Sequence, residues 1–433
     1  MKNKEIAMEW GWDNARALIG LAMIVGIAWA LSENRKAFPW KIVLGAVGLQ
    51  FAFALLLFAV PPVRSILFKA NILVDALEEA TKAGTGFVYG YIGDNSTFPV
   101  EGVEAGPAFF FQILPIVIVV AALSAILWHW RVLRLVTKAF AFIFSKTMGL
   151  GGATSLAVSA NIFMGMTEAP VLVKPYLKGM TRSEIFVLMT TGFATIAGSV
   201  LVIYTTFLEP VMANPLAQLL TASIVAAPAA VALALTMVPE RTDIHDRAHE
   251  PDFEYESTMD AFATGASDGL KIVLNIATML IAALALLYLV NGILGGIVPD
   301  LNGEPLSIQR ILGWIFLPLM YMVGVPLEEA AKAGSLMGIK TVLTEFVAFL
   351  ELANTPDGEL SERSRIIVAH AICGFANFGS IGILIGGLTI IAPERRDTFL
   401  GLAWKTLLAG TLATCMSACI AGALPAQLFL GNG

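Results

Sequence analysis

The chain has 433 residues, of which 57% are hydrophobic and 14% are charged, and its formal net charge at pH 7 is −6. A mean hydropathy of +0.78 lies far above that of a soluble globular domain and indicates a polytopic membrane protein. The negative net charge provides no basic surface for nucleic acid, so nucleic acid is not an expected partner.

Eight apolar segments are long enough to cross a hydrocarbon core of roughly 30 Å, which needs about 20 helical residues. The first 16 residues are rich in charge, and no small-residue cleavage site follows the first apolar run, so we expect the first span to be retained. The predicted spans are 17–31, 42–60, 107–128, 185–208, 217–238, 272–298, 366–392 and 406–427.

The connecting segments differ in charge, which predicts their sides through the positive-inside rule. Basic residues cluster after the first, third, fifth and seventh spans and before the fourth, and these segments are expected inside. The remaining segments are mostly acidic and are expected outside. Both termini are then predicted to lie outside.

Two less hydrophobic regions, 147–180 and 326–352, each lie between segments of the same side. Each must enter and leave the membrane on one side, as a re-entrant hairpin does. The span after each hairpin carries small and polar residues in its middle, TTGFATIAGSV at 190–200 and CGFANFGSIGILIGG at 373–387. These residues predict that both spans are broken helices.

Hairpin, broken span and plain span therefore occur twice, once from the inside and once from the outside. This order is typical of the inverted-topology repeats of secondary transporters. Ordinary helix packing through small residues is the alternative explanation of the glycine-rich spans. The predicted fold is all-α, with eight transmembrane helices and two re-entrant hairpins in an inverted repeat.

The segment 62–106 contains a stretch with helical apolar spacing and is interpreted as an interfacial helix.

Each hairpin contains a Thr-Glu pair, which places Glu168 and Glu345 at membrane depth. A charge there costs at least about 2.5–3.5 kcal/mol on insertion scales and usually faces a cavity or a partner. Ion pairs with Lys174 and Lys340 are the structural alternative. If the hairpin tips meet at the midplane, the two carboxylates face one cavity that suits a ligand rich in hydroxyl or amino donors.

The broken spans contribute further candidate groups. Asn377 and Ser380 can donate and accept hydrogen bonds, and Phe375 offers an aromatic face or an apolar wall. A coupling ion needs oxygen ligands, which unwound backbone, Asn161 and Thr195 can provide. No dense carboxylate cage is visible, which favours a monovalent cation over Ca²⁺.

Several classes of chemistry lack their sequence signatures. The three cysteines, at 373, 415 and 419, lie inside apolar segments and are interpreted as small buried residues. The sequence contains no Walker loop, GxSxG, CxxC or HExxH motif. ATP-driven transport and the commoner hydrolytic mechanisms are therefore not indicated.

Four segments carry a family resemblance: NIFMGMTEAPVLVKPYL, TIAGSV, LTEFVAF and CGFANFGSIGILIGG. In order and spacing they resemble the signature segments of the concentrative nucleoside transporters. The resemblance implies a homotrimer in a bacterial inner membrane, in which each protomer imports a nucleoside with a cation, usually Na⁺ or H⁺. It also implies an outer scaffold, mainly 1–146 and 239–325, and an elevator-type transport domain formed by 147–238 and 326–433.

The resemblance further implies a role for individual residues, with no prosthetic group. Around the nucleobase it implies Gly165, Met166, Thr167, Glu168 and Val200. Around the ribose it implies Glu345, Asn377 and Ser380, with Phe375 beside them. For Na⁺ it implies the side chains of Asn161 and Thr195 and the carbonyls of Met164 and Ile196.

Three positions depart from the family pattern. Met166 stands where Gln is typical, Thr344 where Asn is typical and Gly379 where Ser is typical. A thioether is only a weak acceptor, and an unpaired base group costs about 1–3 kcal/mol unless water enters. These departures concern the identity of the substrate more than its class.

The leading hypothesis is a Na⁺-driven nucleoside symporter, and three alternatives stand beside it. A proton-coupled nucleoside transporter would use Glu168 or Glu345 as the proton carrier. A transporter of the same fold would have shifted to another ligand because of Met166. An intramembrane enzyme would use the two glutamates as an acid and a base.

Overall fold

The computed structural model describes residues 10–93, 108–240, 254–297 and 305–430, and this part of the chain is helical with short connections. Two short 3₁₀ turns, Gly90–Ile92 and Pro393–Arg395, interrupt the α-helices. The helices are α1 (Trp12–Ala30), α2 (Trp40–Ala59), α3 (Pro61–Tyr89), α4 (Phe109–Gln112), α5 (Ile116–His129), α6 (Val132–Met148), α7 (Gly152–Asn161), α8 (Ala169–Leu172), α9 (Lys174–Leu177), α10 (Arg182–Ala194), α11 (Gly198–Leu208), α12 (Pro215–Met237), α13 (Thr258–Ile297), α14 (Ile308–Val323), α15 (Leu327–Val342), α16 (Glu345–Ala353), α17 (Glu362–Ile372), α18 (Phe378–Ile391), α19 (Arg396–Ala423) and α20 (Ala426–Leu430).

The predicted spans are found in this helix order. Seven of them correspond to helical segments that are long and apolar enough to cross a membrane. The eighth, 366–392, is divided between α17 and α18, which are separated by residues 373–377. The predicted all-α membrane fold is confirmed.

Both predicted hairpins are present and each turns at a short non-helical segment. In the first, α7 ends at Asn161 and α8 begins at Ala169. In the second, α15 ends at Val342 and α16 begins at Glu345, with the Thr344 hydroxyl accepting a hydrogen bond from the Val347 amide at 3.3 Å. This N-cap satisfies an amide that the start of a helix leaves without a partner.

Both predicted breaks are also present. Helix α10 ends at Ala194, residues 195–197 are non-helical, and the Gly198 amide at the start of α11 donates to the Phe163 carbonyl of the first hairpin at 3.0 Å. In the second repeat the Asn377 side chain caps α18 by accepting from the Ser380 amide at 2.8 Å. Each break is therefore tied to polar groups that lie inside the protein.

The two repeats interlock around a common core. Helix α12 packs along α19, α10 packs on α19, and α12 packs on α17, so each repeat contacts the plain span of the other. These spans are almost entirely buried. Helix α13 is mostly exposed and packs chiefly against α5.

The structure contains one helix that the sequence did not predict and one that is longer than predicted. Helix α6 occupies a segment that was expected to be a basic loop, and α13 begins at Thr258 instead of 272. Both extra segments carry charged side chains, Arg134 and Lys138 in α6 and Asp268 and Lys271 in α13. Charge lowers the hydropathy without preventing helix formation, so the span criterion missed them.

Part of the predicted orientation rests on residues 94–107, 241–253 and 298–304, which lie outside the described residues.

Glycines allow α5 and α13 to approach closely. A β-carbon at Gly265 would lie 2.7 Å from the Ala125 Cβ, and one at Gly269 would lie 2.7 Å from the Ile118 Cα. These two glycines form a G-x-x-x-G pattern, which brings membrane helices together by removing side chains from their contact.

We expect Gly265→Val to lower the free energy of unfolding by about 1–3 kcal/mol, because the added side chain overpacks this contact. Gly292→Val is the matched control, since Gly292 lies on the same helix and, among the described residues, no other element comes within 4 Å of its β-carbon position. Thermal unfolding of the two purified variants in detergent compares them. Equal midpoints would show that the α5–α13 contact can adapt.

Candidate functional site

A cavity of about 180 Å³ lies where the two hairpin tips, the two breaks and the middle of α13 meet. Its wall combines a few polar groups with a mostly apolar surface, as small-molecule sites in proteins usually do. The residues that line it are Gly165, Met166, Thr167, Glu168, Ala197, Val200, Tyr204, Ile272, Asn275, Ile276, Met279, Leu280, Thr344, Glu345, Phe346, Phe375, Asn377, Ser380 and Ile383.

The structure brings the nine predicted substrate-site residues together in this one cavity. Four come from the first hairpin, one from α11, one from the second hairpin, two from the second break and one from the first turn of α18. They are Gly165, Met166, Thr167, Glu168, Val200, Glu345, Phe375, Asn377 and Ser380. Glu168 and Glu345 thus line the same cavity although they are 177 positions apart in the sequence.

Glu345 is held by donors from two other elements. The Tyr204 hydroxyl donates to one carboxylate oxygen at 3.0 Å, and the Asn377 amide nitrogen donates to the other at 2.9 Å. Asn377 also accepts from the Ser380 amide, so capping α18 fixes the orientation of its nitrogen. Two lone pairs of the carboxylate are engaged in this way, and a carboxylate can accept further donors from a ligand.

Glu168 lies at the boundary between two cavities. One of its carboxylate oxygens accepts from the Gly165 amide at 3.0 Å, which closes the tip of the first hairpin. Its side chain lines the site cavity and also a second cavity of about 320 Å³, whose wall includes Ser124, Tyr255 and Asp268. Glu168 is therefore positioned to contact a molecule that passes between the two spaces.

Of the three departures from the family pattern, Met166 and Thr344 line this cavity, and Gly379 packs against its wall. Met166 lines the cavity and is only 8% exposed. Thr344 keeps the N-cap bond of α16, which an Asn could also form. A β-carbon at Gly379 would lie 2.8 Å from the Met279 Cε, so the small residue makes room for α13.

Three of the four predicted ion-site residues, Asn161, Thr195 and Ile196, meet behind the first hairpin. The Thr195 hydroxyl lies 2.7 Å from the Asn161 carbonyl, and the Ser223 hydroxyl lies 3.4 Å from the Ile196 amide and 3.5 Å from the Ile162 carbonyl. Asn161 is fully buried, and in the described part of the chain neither polar atom of its side chain has a hydrogen-bond partner.

Buried polar atoms normally have a hydrogen-bond partner, so the Asn161 side-chain oxygen, which has none among the described residues, is a candidate ligand for a bound ion. Asn161 ends α7 and contacts Thr195 of the non-helical segment, and Met164 lies three residues further on, in the non-helical tip of the hairpin. This oxygen-rich, neutral surrounding fits a monovalent cation such as Na⁺.

Comparison with known proteins identifies the chain. Family models described as the Na⁺ dependent nucleoside transporter N-terminus and C-terminus match residues 19–92 and 218–422, and one described as nucleoside recognition matches 110–211. An uncharacterized transporter of Haemophilus influenzae is 39% identical over 96% of this chain and 98% of its own length. The nucleoside permease NupC of Helicobacter pylori is 35% identical over 96% of this chain and 97% of its own length.

The chain belongs to the concentrative nucleoside transporter family. The solved structure of CNTnw in an inward-facing substrate-bound state superposes with a TM-score of 0.86 at 37% identity, over 94% of this chain and 98% of that one. This family consists of membrane transporters and not of enzymes, so the hypothesis of an intramembrane enzyme is rejected.

Tyr204 and a wall from α13 are among the lining residues of this transporter's site that sequence reasoning missed. Tyr204 follows Val200 by one helical turn and so shares its face, a spacing that could have indicated it. The wall formed by Ile272, Asn275 and Met279 comes from α13, which was assigned to the scaffold alone. Asn275 is an amide near the start of the predicted span 272–298, one helical turn from Met279, and was the available signal.

Proposed function

We propose that this protein is a Na⁺-driven symporter that imports a nucleoside across the inner membrane of a bacterium. The observation that carries the proposal is the convergence of nine predicted residues on one cavity, with the unpaired Asn161 side chain close behind it. The family match supplies the class of transporter.

The two ends of the cavity suit the two halves of a nucleoside. Glu345 and Asn377 offer fixed acceptor and donor groups for ribose hydroxyls, with Phe375 as the adjoining wall. Glu168, at the other hairpin tip, offers a carboxylate to the donors of the base. Met166 presents a weak acceptor beside it, so we infer that the base is selected mainly by shape and by Glu168.

The proposed Na⁺ lies between Asn161, Thr195 and the carbonyls of Met164 and Ile196. A β-carbon at Gly192 would lie 3.0 Å from the Met166 Cβ and 3.4 Å from the Asn161 oxygen, so the ion and substrate residues share one neighbour. An ion that orders Asn161 therefore also orders the hairpin tip that carries Met166 and Glu168. This shared element gives a physical basis for coupling between the two ligands.

The packing supports an elevator mechanism. Nearly all polar groups of the site belong to the interlocked repeats, whereas α13 contributes mainly an apolar wall and packs chiefly against α5. We infer that residues 147–238 and 326–433 move as a unit past α13, carrying ion and nucleoside together. Of the expected scaffold, residues 1–146 and 239–325, α5 and α13 pack on each other, whereas α1, α2 and α14 pack on α19, α12 and α15 of the repeats. We infer that the α5–α13 pair belongs to the scaffold, which in a homotrimer would hold the protomers together, and that both termini lie outside.

We expect purified protein in proteoliposomes to accumulate labelled uridine and adenosine when a Na⁺ gradient is imposed at constant pH. A pH gradient without Na⁺ should drive no accumulation. Asn161→Ala should raise the Na⁺ concentration for half-maximal uptake at least about tenfold, since losing a charge-assisted contact costs about 1.5–3 kcal/mol. Asn34→Ala, at an exposed position, is the control. Uptake driven by the pH gradient alone would support the proton-coupled alternative instead.

Glu345→Gln should reduce uptake of both nucleosides at least about tenfold, because an amide replaces the charged acceptor of the ribose hydroxyls. Glu351→Gln on the same helix α16 is the matched control, since Glu351 is exposed. Initial uptake rates, normalised to folded protein by size-exclusion chromatography, give the comparison. If Glu345→Gln transports like the parent protein, the assigned sugar site is wrong.

Met166→Gln should change the ranking of nucleosides, because the amide can hydrogen-bond to the base where the thioether cannot do so well. A new bond worth about 1 kcal/mol would shift the ratio of the uridine and adenosine KM values by roughly fivefold. Met166→Leu, which keeps the size without adding a polar atom, should leave the ranking unchanged. Competition uptake assays measure both, and identical rankings for the Gln and Leu variants would remove position 166 from base selection.

A further inference from the structure

The second cavity adjoins the site cavity and has no role in the proposed binding of the nucleoside. Its volume is about 320 Å³, against about 180 Å³ for the site cavity, and Glu168 lines both. Its wall includes Trp128 near the end of α5, Leu133 at the start of α6 and Thr264 in the early turns of α13. The basic segments next to these helices are predicted to lie inside. The second cavity therefore lies between the site and the predicted inner face.

The wall of the second cavity offers the kinds of groups that bind a nucleoside. The Asp268 carboxylate can accept hydrogen bonds from ribose hydroxyls, and the Ser124 hydroxyl can both donate and accept. Trp128 and Tyr255 add aromatic surface, on which any nucleobase can stack. The larger of the two cavities thus repeats the combination of a carboxylate and an aromatic wall that Glu345 and Phe375 provide in the smaller one.

Tyr255 is held in this wall by bonds on both sides of it in the chain. The Arg134 guanidinium of α6 donates to the Glu254 carboxylate at 2.9 Å. The Trp130 indole donates to the Thr258 hydroxyl at 3.3 Å. These two bonds tie the segment before α13 to the junction of α5 and α6, so the aromatic wall belongs to the scaffold side of the cavity.

One face of α13 passes along both cavities. Its residues recur at intervals of three or four, which places them on the same side of a helix. Thr264 and Asp268 line the second cavity, whereas Ile272, Asn275 and Met279 line the site cavity. At 1.5 Å per residue, Asp268 lies about 10 Å along the helix from Asn275, a distance comparable with the length of a nucleoside. The face therefore presents a polar group to each cavity in turn.

The packing of α13 fixes the direction of this face. Gly265 and Gly269 lie against α5, and Asp268 lies beside them on the helix. Its Oδ1 accepts from the Lys271 ammonium at 2.7 Å, but both side chains are more than half exposed, so this ion pair contributes little stability. The ion pair also leaves the lone pairs of Oδ2 available to a ligand.

We propose that the second cavity is a separate, weaker nucleoside site, which the substrate occupies on its way between the transport site and the inside. Asp268 binds the hydroxyl groups there, and the aromatic wall contacts the base. The inference rests on the proposed function. Because α13 does not travel with the moving repeats, this site serves the inner face alone. Binding is weaker than at Glu345 because only the latter carboxylate is fixed by two buried donors.

Asp268→Ala should raise the KM for uridine at the inner face at least about fivefold, because a charged acceptor is lost, and leave the KM at the outer face unchanged. Right-side-out and inverted bacterial membrane vesicles that contain the protein measure the two faces separately, each with an inward Na⁺ gradient. Lys271→Ala is the matched control, since it breaks the same ion pair but keeps the carboxylate. Its two KM values should equal those of the parent protein.

Three results would overturn the second site: an unchanged inner KM in Asp268→Ala, an equal rise at both faces, or the same inner rise in Lys271→Ala. Each of them would leave the assignment as a nucleoside symporter intact. If the unmodified protein carries no nucleoside into either kind of vesicle, the proposed function itself fails, so the two failures are distinguishable.

The unmodified protein provides a second test, which does not depend on the folding of a variant. Photolysis with 5-azidouridine, followed by peptide mass spectrometry, should label Tyr255 or Trp128 as well as Met166, with the label at Met166 saturating at the lower concentration. Excess uridine should suppress both labels. Labels confined to the site cavity, or a label at Tyr255 or Trp128 that uridine does not suppress, would refute a second nucleoside site.

Discussion

The structure depends on one constraint: a helix that stops inside a membrane leaves backbone amides and carbonyls that must find partners within the protein. This chain stops two spans and turns two hairpins in its interior. Gly198 donates to the Phe163 carbonyl, Thr344 caps α16 and Asn377 caps α18. The breaks and hairpin tips are brought together to satisfy these groups, and the polar atoms that remain are available to ligands.

A further consequence of this constraint is that residues of both repeats form the site. Tyr204 of the first repeat donates to Glu345 of the second, and each repeat packs on the plain span of the other. A nucleoside bound between Glu168 and Glu345 would therefore contact both halves and favour their movement as one body.

Much of this architecture follows from local features of the sequence. Because the free energy of transfer into the membrane is summed over a contiguous segment, hydropathy identifies the spans. The charge of the connecting segments then identifies the hairpins, because each hairpin begins and ends on the same side of the membrane. The breaks were predictable because Gly, Ser and Asn interrupt apolar runs at 190–200 and 373–387. Helix α6 and the first turns of α13 were missed because amphipathic and charged helices have no strong hydropathy signal. The apolar wall from α13 could not be predicted, since an Ile in a span looks alike whether it faces lipid or a ligand.

The sequence by itself determined the number of spans, the two hairpins, the breaks and the presence of one carboxylate in each hairpin, because each depends on residues close together in the chain. Only the tertiary structure decided which buried polar groups are satisfied. Glu345 is paired with Tyr204 from 141 residues away, while Asn161 and Lys340 are left without hydrogen-bond partners among the described residues. Pairing depends on the atoms that folding brings within about 3 Å, and no local pattern records them.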